Sequence, residues 1–202
     1  MILRRFFLVF LAAALPLGLG AGPALAAPDP AAFINHLGNE ALAVLRPAAS
    51  PEQRAVAFRS LFRRDFDVPQ IARFVLGPYW RVATPTQQHE FIHLFENYIA
   101  LAYSSRLSEY SGDKLVVTGS RMMPGGAVVD SEVPRQDGQP VRIEWRLTRY
   151  GNTYKINDVV VGGISMAITQ RSEFAAVIQR DGGDVQGLLE TLRAKTAGLS
   201  GS

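Results

Sequence analysis

The sequence predicts an α+β fold: N-terminal helices, a four-stranded antiparallel meander and two C-terminal helices, with the helices packed on one sheet face. Three observations carry this. Apolar residues recur at helical spacing through the first half of the chain, and from Lys114 the period drops to 2. The alternating runs are separated by Pro124-Gly125-Gly126, Gln136-Asp137-Gly138-Gln139 and Gly151-Asn152, links that suit antiparallel hairpins and are too short for crossovers. After Gly162-Gly163 the helical period returns. A one-faced antiparallel sheet must have its apolar side covered, and the flanking helices are there to cover it.

Each element has its own signal. Phe33, Ile34, Leu37, Ala41, Val44 and Leu45 lie on one helical stripe, and Pro47 stops that helix. Ser50-Pro51-Glu52-Gln53 combines an N-cap, a proline at the first helical position and a capping-box glutamine. Asp67-Val68-Pro69-Gln70 opens a short third helix that Gly77-Pro78 interrupts. Thr84-Pro85-Thr86-Gln87 repeats the capping box and begins the longest helix, running to about Tyr110 before Ser111-Gly112-Asp113. Strands follow over residues 115–121 and 127–135. In the third strand Val141, Ile143, Trp145 and Leu147 alternate with Arg142, Glu144, Arg146 and Thr148. The fourth spans Thr153 to Val161. A helix including Met166 to Arg180 comes next, then a last one capped by Asp184, with Val185, Leu188, Leu189 and Leu192 on one stripe.

The first residues read differently. Arg4 and Arg5 precede an apolar run, Phe6 to Leu15, after which Pro16, Gly18, Gly20, Gly22 and Pro23 break the pattern and Ala24-Leu25-Ala26 offers a small-x-small cleavage site. This is the pattern of a secretory signal peptide over residues 1–26. The run is too short for a membrane-spanning helix, which needs about 20 apolar residues. No cysteine follows, so a lipid-anchored form is excluded. Residues 27–202 are then one exported domain, expected in the periplasm and expected to be monomeric. At 48% hydrophobic and 19% charged the chain can build a core, and with no cysteine it does so without disulfides or thiolate metal sites. The formal charge of +3 falls to +1 once Arg4 and Arg5 are set aside, and no basic run longer than Arg63-Arg64 remains. Nucleic-acid binding is not supported.

One motif suggests an enzyme. His89-Glu90-Phe91-Ile92-His93 is a literal H-E-x-x-H on a predicted helix, the arrangement by which zinc peptidases bind metal and activate water. Helical geometry opposes that reading. Phe91, Leu94, Phe95, Tyr98, Leu101 and Ala102 define the apolar face, and His89 and His93 lie almost opposite it beside Glu96, pointing to solvent. The three together offer at most an adventitious surface zinc site. His36 is the one other histidine, no G-x-S-x-G elbow exists, and the glycine pairs read as turns rather than phosphate-binding loops. Asp65 and Asp67 flank Phe66 at a helix start, where capping is the commoner role. The residues imply no enzyme, no metal and no cofactor. Two other classes stay open at this point: a secreted zinc hydrolase using His89-Glu90-x-x-His93, and a non-catalytic periplasmic interaction module.

What stands out is aromatic and aliphatic abundance, and helices covering a concave sheet are able to enclose an apolar cavity. The run Ile71-Ala72-Arg73-Phe74-Val75-Leu76-Gly77-Pro78-Tyr79-Trp80-Arg81, with Thr84-Pro85-Thr86-Gln87 after it, resembles the signature of the MlaC, or toluene-tolerance, family. So do Phe91, Phe95, Tyr98, Tyr103, Arg106-Leu107 and Tyr110, the segment Asp158 to Ser165, and Arg171-Ser172-Glu173-Phe174. Asn157 departs from the family where an aromatic is common, and Gly162 where glutamate often precedes the glycine. The phrasing Phe74-Val75-Leu76-Gly77-Pro78-Tyr79-Trp80 is most similar to the hopanoid-associated HpnM branch.

The resemblance implies a periplasmic carrier that shuttles a membrane lipid, phospholipid or hopanoid, between an inner-membrane transporter complex and an outer-membrane complex. It implies no chemistry and no cofactor. A cavity between the sheet and the helices would be lined by Phe74, Val75, Tyr79, Phe91, Phe95, Tyr98, Val129, Ile143, Trp145 and Val160. Arg73 and Arg81 would meet the polar head at the mouth.

Overall fold

The structure, a computed structural model, describes residues 28–44, 49–108, 114–135 and 138–197. The leader, the Pro47 stop, the stop after Tyr110 and the Gln136-Asp137 half of the second turn lie outside them. Four helices come first: α1 (Pro30–Val44), α2 (Pro51–Asp65), α3 (Val68–Leu76) and α4 (Pro85–Ser108), with a 3₁₀ turn, Gly77–Arg81, between the last two. Their starts obey the capping chemistry. Gln53 N donates to Ser50 Oγ at 3.2 Å while Ser50 N donates to Gln53 Oε1 at 2.9 Å. Thr84 and Gln87 repeat this reciprocal pair at 3.2 and 3.0 Å. Asp67 caps α3 by accepting from Gln70 N. Gly77 ends α3 at φ 60°, a backbone conformation that favours glycine, and a Cβ there would stand 3.0 Å from the Arg171 guanidine, which would have to shift.

The sheet is antiparallel and ordered as the chain runs: β1 (Val116–Met123), β2 (Gly126–Val133), β3 (Val141–Tyr150), β4 (Thr153–Val161) and a two-residue β5 (Ile164–Ser165). β5 is an addition to the expected four strands. It forms because the positive-φ pair Gly162-Gly163 folds the chain back on β4, pairing Val160 with Ser165. The chain then enters α5 (Met166–Arg180) and α6 (Val185–Thr196).

The two sheet faces differ in chemistry. On the outer face Arg121 bonds Asp130 and Glu144 at 2.7 and 2.8 Å, and Arg146 bonds Glu144 and Asp158 at 3.0 and 3.2 Å. Burial pushes the Glu144 carboxyl up, but its hydrogen bonds from Arg121 and Arg146 outweigh this and hold it below the usual carboxylate range. The inner face carries Ala127, Val129, Leu147, Tyr154 and Ile156 against Ile34 and Leu37 of α1. A second core lies wholly among the helices, built from residues such as Phe62, Val75, Phe91, Phe95, Phe174 and Leu188. Phe66, at the junction of α2 and α3, packs against both cores. Backbone hydrogen bonding from Asp67 N to Ile156 O at 2.9 Å pins that junction to β4.

Candidate functional site: an apolar seam along the central strand

The inner face of the sheet is unevenly covered. α1 lies over β1, β2 and β4, and α2, α3 and α5 reach β4. Among the described residues no helix packs substantially against β3, and α4 packs on α2, α3 and α6 but substantially on no strand. Val141, Ile143 and Trp145, the inner-face residues of β3, are consequently only half-buried, whereas Leu147 beside the α1 cluster is buried. The inner face of a strand with partners on both sides is ordinarily the most hidden part of a sheet. Val159 and Val161, level with Trp145 and Ile143 on β4, share the partial burial. These side chains form a half-buried apolar strip on the inner face of the sheet.

The remaining candidate lining lies on α4, 24 residues and therefore about 36 Å long. Its Tyr98, Leu101 and Tyr103 are half-buried members of the helical core's margin. Tyr103 Oη lies 3.6 Å from Met166 Sδ, which ties the C-terminal half of α4 to the start of α5. Behind them Phe174 stands edge-on to Phe91 and Phe95, ring centres 5.8 and 6.2 Å away, with Tyr98 at 5.9 Å. Phe95 meets Phe62 at 6.1 Å and Phe62 meets Phe66 at 4.7 Å. A continuous aromatic wall thus runs from α5 through α4 and α2 to the sheet. Trp145 Nε1 donates to Ser131 Oγ at 2.8 Å, so the indole's one polar group is satisfied and its ring is free to serve as apolar surface.

The residues expected to line one cavity divide among several places. Trp145 and Ile143 are half-buried on the inner face of β3, Trp145 against the sheet core, and Tyr98 is half-buried on α4 against the helical core; Val129 is fully buried in the sheet core. Val75, Phe91 and Phe95 are packed into the helical core at 1% exposure or less. Tyr79 packs on that core from the 3₁₀ turn. Phe74 is 41% exposed, with the Arg171 guanidinium 5.1 Å above its ring. Val160 faces the opposite way: its register partner is Glu144, on the charged outer face. There it borders a concavity of about 370 Å³ whose other walls include Asp130, Glu132 and Arg142. Arg73 and Arg81 are exposed on α3 and the 3₁₀ turn. Phe174, Tyr103 and Val159 are not among the expected lining residues, although Phe174 ends the Arg171-x-x-Phe174 segment.

With this architecture established, comparison with known proteins is decisive. The profile of the MlaC protein family matches residues 36–194, from within α1 to within α6. The chain belongs to the MlaC family. Among curated relatives, the toluene tolerance protein ttg2D of Pseudomonas putida is 30% identical over 108 residues, 53% of this chain and 50% of that protein. The chain thus aligns with half the length of that relative. A solved structure from Ralstonia solanacearum, a phospholipid-binding protein in complex with a phospholipid, superposes with a TM-score of 0.72. It covers 85% of this chain and 99% of that one at 23% identity, a likeness of fold.

Within this MlaC chain the zinc-peptidase motif is arranged as a solvent face. His89 and His93 are exposed, their Nε2 atoms 3.3 Å apart. Glu90 accepts from Arg193 Nε of α6 at 2.6 Å, so it is engaged elsewhere. Glu96 corrects the expectation of a surface carboxylate: it is 6% exposed and pairs with Arg63 of α2. It therefore cannot complete a site with the two histidines. Among the described residues no group of three or more His, Asp or Glu side chains is placed to hold a metal, and no helix is long and apolar enough to cross a membrane.

Proposed function

We propose that this protein is a periplasmic lipid carrier that binds a phospholipid or hopanoid by hiding its tails in a seam between α4 and β3. The observation that carries the reading is the half-buried inner face of a central strand, Ile143 and Trp145, on which no helix packs substantially among the described residues. Membership of the MlaC family supports the same reading, as do the phospholipid bound by the Ralstonia protein and the name of the Pseudomonas relative. The energetics give such a protein a task. Each methylene exposed to water costs about 0.8 kcal/mol, so a tail of about 16 carbons costs on the order of 12 kcal/mol. Unassisted transfer between membranes is slow for that reason, and a carrier need only replace water around the tail.

The mechanism requires no bond-making group. Trp145, Ile143 and Tyr98 supply apolar contact, the aromatic wall from Phe174 to Phe66 resists collapse, and Arg73 and Arg81 stand exposed to meet a polar head. Delivery would be to an inner-membrane complex on one side and an outer-membrane complex on the other. Organic extraction and mass spectrometry of the protein purified from its native periplasm tests the reading. About one equivalent of phospholipid or hopanoid is expected. Lipid-free protein holding one tightly bound zinc would overturn it in favour of a hydrolase.

A further inference from the structure

We propose that Gln170 selects the cargo: its buried amide oxygen accepts a hydrogen bond from a hydroxyl carried on the otherwise apolar body of the lipid. Gln170 belongs to the buried stripe of α5, with Ala167, Phe174 and Ile178. It is 7% exposed, and its Oε1 is buried without a hydrogen-bond partner among the described residues. Its Nε2 donates to Glu173 Oε2 at 3.3 Å. That contact fixes which way the amide faces, because the reversed amide would set an oxygen against a carboxylate. The atom left over is an acceptor.

The neighbours of Gln170 on α5 place it beside α4, the helix proposed to meet the cargo. One turn before it, Met166 meets Tyr103 of α4; one turn after it, Phe174 meets Tyr98 of α4. Gln170 therefore lies level with the stretch of α4 between Tyr98 and Tyr103, whose half-buried apolar side chains are those proposed to meet the cargo. A buried carbonyl without a donor is costly and rare in native proteins. A hydrocarbon tail, an ester or an ether brings no donor. An ammonium would bring one, but only by carrying a charge into an apolar site. The chemistry that fits is a neutral hydroxyl, as on a hydroxylated acyl chain or an alicyclic alcohol.

This inference rests on the carrier reading, and the test separates the two. Delipidated full-length protein is titrated with hexadecan-1-ol and with 1-methoxyhexadecane, two probes of nearly equal size of which only the first is a donor. The ether is the more apolar, so burial alone ranks it first. Wild type is expected to prefer the alcohol about five-fold, the worth of one neutral hydrogen bond. Gln170→Met should reverse the order. Glu173→Ala, at an exposed position that does not threaten folding, should shrink the preference by letting the amide turn over. Binding of neither probe would defeat the carrier reading itself. Binding of both with the ether equal or favoured in wild type would overturn the role of Gln170 and leave the carrier reading standing; this is the result if an ordered water occupies Oε1. An alcohol preference that survives Gln170→Met would overturn it as well.

Discussion

Trp145 and Ser131 sit diagonally across the β2–β3 ladder, the indole Nε1–H donating to Ser131 Oγ at 2.8 Å. Ser131 Oγ in turn lies 3.4 Å from the Ile143 carbonyl, to which it donates. The only tryptophan of the sheet is thereby held with its polar atom turned into the protein and its ring on the inner face of β3, against which no helix packs substantially among the described residues.

Trp145→Asp should therefore fold and lose its cargo. The position is half-buried, so the carboxylate reaches water, while a charge on the seam and the lost aromatic area lower lipid retention by about ten-fold or more. Trp145→Phe should keep most of the lipid. Phe95→Asp is a poor probe of the same idea. At 1% exposure inside the helical core it would bury an unpaired charge and unfold the protein. Lipid per protein after extraction, with a thermal melt of each variant, separates the two kinds of loss; normal lipid in folded Trp145→Asp would remove the seam from consideration.

The histidine pair should be dispensable. The variant His89→Ala/His93→Ala alters two exposed side chains that meet each other across one helical turn, and stability should stay within about 0.5 kcal/mol of wild type. Lipid content should be unchanged, before and after treatment with a chelator. Loss of cargo in this variant, or stoichiometric zinc in the wild type, would contradict this.

Much of this layout was legible in the sequence, and the exceptions have physical causes. Thr153–Val161 lies between two glycine-bearing turns, so both ends of β4 were marked, and the Ser50 and Thr84 capping boxes marked the starts of α2 and α4. Val160 failed for a definite reason. Strict alternation puts it on the side of Ile156, but the register slips between Leu147↔Ile156 and Arg146↔Asp158, leaving Asn157 as an extra residue. Beyond that bulge Val159 faces inward and Val160 outward. Glu96 lies in a polar position on the helical wheel, and only Arg63, 33 residues away on another helix, makes its burial tolerable. Phe91 and Phe95 do lie on the apolar face that their spacing predicts, but periodicity does not say whether such a face meets a ligand or another helix. β5 has two residues, too few to carry any period.

The outer face should register pH. Glu144 has its carboxyl held below the ordinary range by Arg121 and Arg146, so it stabilises the fold above the unfolded carboxyl's pKa of about 4.3. That contribution is lost as pH falls through the lowered folded value. Between pH 5 and pH 3, roughly, wild type should lose stability more steeply than Glu144→Gln, whose neutral amide does not titrate. Denaturant midpoints across that range give the comparison. Parallel curves would mean that the pairing with Arg121 and Arg146 contributes nothing to folding.

Asp158 joins the sheet to the helix that carries Gln170. Its Oδ1 accepts from Ala167 N at 3.1 Å, and its Oδ2 accepts from Ser165 Oγ at 2.7 Å and from Arg146 at 3.2 Å. Ser165 Oγ itself accepts from Ile168 N at 3.1 Å as the N-cap of α5. One outer-face carboxylate thus fixes the cap, the first turn of α5 and an arginine of β3 together, and its side chain is only 10% exposed. Asp158→Ala strands a buried amide and a hydroxyl, at a cost of about 2–3 kcal/mol, and Asp158→Asn should cost less because one acceptor remains. The loss should be local before it is global: hydrogen exchange at Ala167 and Ile168 should speed up well below the unfolding midpoint. Because Met166 and Gln170 stand on that same turn and the next, lipid retention should fall with the lost protection. Unchanged exchange at both amides in Asp158→Ala would show that α5 is held by its apolar stripe alone.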